Sequence, residues 1–336
     1  MIRALKNRLM PGGAHRTLNR WRNRLLRRVT AKRLARDLRR LGLADGDLVC
    51  VHSSLNAVGY LANGPDTVID ALFAVVGTRG TVMMPAFSGG DSTYRYVMSG
   101  PPPFDPERAP ATTGALAERF RHRPGVRRSL HPTHSVAAAG PRADELLRGH
   151  ERSDTPFGDE TPYARLERLG GKVLLLNNNA NSLLHRVQEE SDWPNHYRRE
   201  RFELQVVSPE GTRTVRTAVH APGYFDRVVL PGRVEGEWKT LHLPWYGLQF
   251  MLPGVEQEQL AGLHPDAARA LAERQAWLER EGIVRFGRVG YAPAALLDAP
   301  RYARRLRDDL RAEVTADPSR YEPSRMEALD AARGSH

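Results

Sequence analysis

Leu48-Val49-Cys50-Val51-His52-Ser53-Ser54 is the stretch on which the fold turns. Four apolar residues follow the turn Asp45-Gly46-Asp47 and stop in three polar side chains, the pattern of a buried strand with polar groups at its C-terminal end. Ligands of open α/β sheets bind at that edge. Downstream, Pro65 to Val76 carries helical apolar spacing and Gly77 to Gly80 makes a turn. Thr81-Val82-Met83-Met84 then reads as a second strand, stopped by Pro85. Upstream, Thr30 suits the N-cap of a helix running to Leu41, with Gly42 as its stop.

The same alternation recurs. Pro162 to Leu169 reads as a helix, Gly170-Gly171 as a turn and Lys172 to Leu176 as a strand. Arg201 to Arg216 alternates around Ser208-Pro209-Glu210-Gly211, a hairpin expected to supply an edge of the same sheet. His264 to Glu281 is an amphipathic helix, Ile283 to Val289 a strand and Arg301 to Val314 a final helix. The class implied is a layered α/β core.

The chain has 336 residues and a formal net charge of +11. That charge is unevenly placed. Residues 1 to 40 hold 14 Lys and Arg against one acid, Asp37, and the remainder holds 36 basic against 38 acidic residues. A basic N-terminal extension, 1 to 28, interleaves its charges with Leu5, Leu9, Leu18, Trp21, Leu25 and Leu26. An anionic surface is therefore an expected partner class for it. With one aromatic and no recognised nucleic-acid module, nucleic acid is disfavoured as a partner. One cysteine, Cys50, excludes an internal disulfide framework and a cysteine-rich metal site, which suits a cytoplasmic location. No apolar run has the length of a membrane span. Beyond Thr315, proline and charge dominate, so residues 315 to 336 are expected to form a mobile tail.

Phosphate loops of the GxxxxGK[ST] type, GxGxxG after a strand, HExxH and GxSxG are all missing, which removes the common nucleotide, zinc-protease and serine-hydrolase readings. Three polar clusters remain. His52-Ser53-Ser54 offers hydroxyls and backbone N–H groups to a phosphate or a thioester carbonyl, or merely caps the next turn. Arg127-Arg128-Ser129-Leu130-His131-Pro132-Thr133-His134-Ser135 packs guanidiniums, hydroxyls and imidazoles into nine residues, and guanidinium forks suit phosphate oxygens. Asn177 to Asn181 leads into a helix with His185 near its start and Glu189 four residues on, on the same face. An imidazole with an ordinary pKa near 6.5 accepts an amine proton at neutral pH, and a neighbouring carboxylate fixes its tautomer.

These clusters, in order, resemble the aminoglycoside 3-N-acetyltransferase family. The resemblance rests on Leu41-Gly42-Leu43, Val51-His52-Ser53-Ser54-Leu55, Val58-Gly59, Asn63-Gly64 and Gly80 to Pro85. It continues through Phe104-Asp105-Pro106, Pro124-Gly125, Arg128-Ser129 with His131-Pro132, Ser135, Thr161-Pro162, Leu184-His185 and Gly287 to Gly290. It implies a mixed central β-sheet flanked by helices, with a C-terminal hairpin and helix portion. It also implies acetyl-CoA or another acyl-CoA as donor, no metal, and direct attack by an amine within a ternary complex. The transferase domain would span residues 29 to 314. His185 takes the place of the family's catalytic base, with Glu189 or Glu190 as its orienting acid. His52, Ser53, Ser54, Arg128, Ser129, His131 and Ser135 take positions expected to face coenzyme A. Asp159, Glu160, Asn177, Asn179, His220 and Asp226 are the expected acceptor contacts.

Two departures matter. Relatives carry a carboxylate three residues after the catalytic histidine, where this chain has Gln188, and a second family acid falls near His220. Fewer carboxylates leave the acceptor open between an aminoglycoside and a biosynthetic amine or amino sugar. The basic extension allows a further reading, in which residues 1 to 28 dock an acidic acyl-carrier protein as donor. A homodimer is one assembly compatible with the sequence.

Overall fold

A computed structural model describes residues 27–90, 92–178, 181–191, 197–198, 200–220, 229–234, 237–242 and 265–316. Asn179, Asp226, most of the basic extension and residues 317–336 lie outside the described residues, so the expectations placed on them are not taken further.

The strands are β1 (Arg28–Val29), β2 (Leu48–Ser53), β3 (Tyr60–Leu61), β4 (Thr81–Pro85), β5 (Arg127–Arg128), β6 (Val136–Ala139), β7 (Lys172–Leu176), β8 (Phe202–Ser208), β9 (Gly211–Thr217), β10 (Val229–Val234), β11 (Glu237–His242), β12 (Val284–Val289) and β13 (Ala292–Asp298). The helices are α1 (Ala31–Leu41), α2 (Asp66–Val76), α3 (Thr93–Met98), α4 (Ala115–Arg121), α5 (Ala143–Leu147), α6 (Pro162–Arg168), α7 (Ser182–Glu190), α8 (Pro265–Arg280) and α9 (Ala299–Ala316).

Seven strands form one mixed sheet in the order β12-β13-β7-β2-β4-β6-β5. β2 runs parallel to both neighbours, with Val51 opposite Leu174 and Val49 opposite Val82. The remaining pairings in this sheet are antiparallel. Side chains alternate across β2, and each face is covered. Val49 and Val51 join the core under α1, α2 and α4. Leu48 and Cys50 join the core under α5, α6, α7 and α9. This is the mixed, helix-flanked sheet that the resemblance implies.

Local chemistry explains the ends of these elements. Thr30 Oγ1 accepts from Arg33 N at 3.2 Å and starts α1, and Gly42, at φ 108°, closes it in the left-handed region. The hairpin β8–β9 forms where alternation placed it, but it makes its own two-stranded sheet instead of an edge of the central one. Its link outward is a bridge from Val206 to Phe104. Both edges of the central sheet are already taken, by β12 and by β5.

Candidate active site

The parallel strands β2 and β7 end side by side, with Ser53 opposite Leu176, so their outgoing loops share one edge. Asn177 follows β7 at φ 49°, a left-handed conformation that asparagine tolerates better than other non-glycine residues. Its N–H donates to Pro293 O at 2.9 Å, and its side-chain amide donates to Ser54 O at 3.4 Å. Asn177 was expected among the acceptor contacts; these bonds make it the hinge that ties β7, β13 and the end of β2 together.

Helix α7 then begins. Asn181, buried, caps it by accepting from Leu183 N at 3.1 Å, and the Tyr302 hydroxyl of α9 hydrogen-bonds Asn181. His52, at the end of β2, accepts from Ser182 N through Nε2 at 3.5 Å. Three elements thus set the start of the helix that carries His185 one turn in.

The His185 imidazole sits among rings. Its centroid is 5.1 Å from Phe157 and 4.9 Å from His220. His134 lies 5.3 Å from Phe157 and 5.7 Å from His220. Burial lowers the His185 pKa to about 4, and the neighbouring Gln188 side chain opposes the shift. Burial lowers His52 to about 3, with His185 adding to the effect. His220 and His134 are likewise held well below the usual range, by burial first and by the neighbouring imidazoles second. At neutral pH this cluster is uncharged and His185 is a free base.

The acids expected to orient His185 are engaged elsewhere. Glu189 accepts from Thr155 Oγ1 and from the Tyr197 hydroxyl at 2.5 Å. Glu190 accepts from Arg307 at 2.9 Å and lies 3.6 Å from Arg186. On a helix the third and fourth following residues both neighbour a side chain. Here the third, Gln188, takes the place at the ring. Of the expected acceptor contacts, Asp159 is held by Arg186 at 2.5 Å and Glu160 by Arg165 at 2.9 Å. His220 alone among the described ones stands against His185.

Ser53 and Ser54 are partly exposed at this edge, and Ser54 makes no side-chain cap bond to the turn that follows it. The second cluster is bonded within the protein. Arg128 donates through Nε to Ser135 Oγ at 2.9 Å, to Ser88 Oγ at 3.2 Å, and to the carbonyls of Ala86 and Ala109. Ser135 donates onward to Ala86 O at 2.7 Å. Ser129 pairs with His150 Nδ1 at 2.9 Å, and His131 Nε2 with Thr217 Oγ1 at 3.2 Å. These four residues, expected to face coenzyme A, direct the polar groups described here into bonds that knit the 127–135 loop to its neighbours. Arg128 and Ser129 do border a concavity of about 710 Å³ on their outer side.

Among the described residues, no group of three or more His, Cys, Asp or Glu could hold a metal ion, and no helix is long and apolar enough to cross a membrane. Sequence reading missed Phe157, Thr155 and Tyr197. Phe157 is a lone aromatic in a loop, without the periodicity that marks a core residue.

Comparison with known proteins decides the family. The model of the aminoglycoside 3-N-acetyltransferase family matches residues 50–310. The chain belongs to this family. Aminoglycoside N(3)-acetyltransferase VII of Streptomyces paromomycinus is 43% identical over 180 residues, 49% of this chain and 62% of that relative. The chain therefore matches about three fifths of the length of such curated relatives. A solved structure of AAC-IIIb in binary complex with CoASH superposes with a TM-score of 0.63 at 28% identity, covering 85% of this chain and 97% of the other. AAC-VIa bound to sisomicin superposes with a TM-score of 0.60 at 29% identity, covering 85% and 98%.

Proposed function

We propose that this family member transfers an acetyl group from acetyl-CoA to an amine of an aminoglycoside or related amino sugar, with His185 as general base. The observation that carries the reading is the neutral His185 imidazole, buried among Phe157 and His220 one turn into the helix that leaves the sheet edge, with Ser53 and Ser54 partly exposed at that edge. Family relatives solved with CoASH and with sisomicin support both substrates.

An acceptor ammonium cannot attack a thioester until it loses a proton. In this reading the ammonium proton has gone to solvent and the neutral amine attacks; His185 takes a second N–H proton as that nitrogen bonds to the thioester carbonyl carbon, whose oxygen becomes an oxyanion. Ser53, Ser54 and nearby backbone N–H groups are positioned to donate to it. Collapse breaks the C–S bond, and the leaving thiolate takes the proton from the imidazolium. Gln188, on the same face of the helix, neighbours the ring without adding charge. Free-thiol release with acetyl-CoA and a panel of amines tests the reading. Turnover with sisomicin or another amino sugar is expected; thioester hydrolysis without acceptor dependence would overturn it.

A further inference from the structure

On the outer face of α5 and α6, a concavity of about 470 Å³ is lined by Glu145, Arg148, Arg152, Glu160, Arg165 and Arg168 with Leu169. Four guanidiniums against two carboxylates leave its lining at +2. Both acids are already engaged, Glu160 by Arg165 at 2.9 Å and Glu145 by Arg142 at 3.4 Å. Arg148 and Arg152 have no ion-pair partner among the described residues, and Arg168 bonds only a backbone carbonyl, Asp159 O at 3.3 Å.

The arrangement is built. Arg165 is 11% exposed and is fixed by Leu146 O at 3.1 Å as well as by Glu160. Burial lowers its pKa, and the Arg168 and Arg148 charges add to the lowering. Gly149, at φ 72°, makes the turn between Arg148 and Arg152 in the left-handed region. The neighbouring concavity shares Arg148; of its other arginines, Arg121, Arg127 and Arg213 pair with carboxylates, and Arg128 is spent on hydroxyl and carbonyl oxygens. Three uncompensated guanidinium forks, Arg148, Arg152 and Arg168, beside the anchored Arg165 suit the oxygens of a doubly charged phosphate group.

We propose that the Arg148–Arg152–Arg165–Arg168 pocket binds a phosphate-ester or diphosphate group. That group belongs either to the nucleotide end of coenzyme A or to a separate phosphorylated small molecule. Calorimetric titration of the full chain with sodium pyrophosphate and inorganic phosphate, at fixed ionic strength, tests it. Arg148→Ala/Arg152→Ala is compared with Arg36→Ala/Arg40→Ala, which removes two charges elsewhere. Saturable 1:1 binding is expected in wild type and in the control, weakened at least tenfold in the pocket variant. Absence of saturable binding, or equal binding in all three proteins, would overturn the site. Displacement of pyrophosphate by coenzyme A but not by pantetheine assigns it to the donor; simultaneous binding assigns it to a separate ligand. This readout does not depend on acetyl transfer, so it stands or falls apart from the proposed activity.

Discussion

At the residue scale, a neutral side chain stands where a carboxylate would add charge: Gln188 neighbours His185, and burial holds the ring at about 4. Gln188→Glu places an opposite charge beside the imidazole, which favours its protonated form by about 1–3 pH units. Because the base works only when deprotonated, the acid limb of the kcat–pH profile should move upward by that amount. An unmoved limb would remove Gln188 from the role. His185 was singled out by the family resemblance, because a histidine just inside a capped helix does not by its local pattern separate a catalytic role from a structural one. Its partner was not, since Glu189 and Gln188 differ by one position on the same helix face, and Thr155 and Tyr197 come from loops distant in sequence. Phe157 packs on His185, His134 and His220. Phe157→Ala should cost about 3–5 kcal/mol by urea denaturation, whereas a surface role would cost almost nothing.

At the element scale, the placement of α7 is the decisive feature. Asn181 caps it and also meets the Tyr302 hydroxyl, so one side chain joins the catalytic helix to α9. Asn181→Ala should lose about 1 kcal/mol of stability and lower kcat more than the KM for acetyl-CoA. Strands β2, β4 and β7 and helices α1, α2, α6 and α8 were readable from period, caps and glycine turns. Strand β13 was not: Ala292-Pro-Ala-Ala-Leu-Leu-Asp has no alternation, and Pro293 argues against a central strand. Tertiary context overrides this, because β13 pairs on both sides, with β12 and β7. The 127–135 cluster was read as facing coenzyme A from its residue types and the family resemblance; which of its guanidiniums bond backbone carbonyls is set by the fold.

At the scale of the whole molecule, the neutral histidines make stability depend on pH. His52, His131, His134, His150, His185 and His220 all have lowered pKa values, with burial the largest cause. The unfolded chain binds protons at these sites below about 6.5 while the native state does not. Stability is therefore full above pH 6.5 and falls as pH drops toward 4, by up to about 1.4 kcal/mol per pH unit for each imidazole. Urea midpoints should decline steeply between pH 7 and 5; a flat profile would mean the cluster is solvated. The central claim is that His185 is the base for direct transfer. Its most direct test is single-turnover acetyl transfer to sisomicin by wild type and His185→Ala, with coenzyme A affinity measured on both proteins. The expected result is a rate reduced about 10²–10⁴-fold in the variant at unchanged coenzyme A affinity. Wild-type rates in His185→Ala, or an acetyl group recovered on the protein, would contradict it.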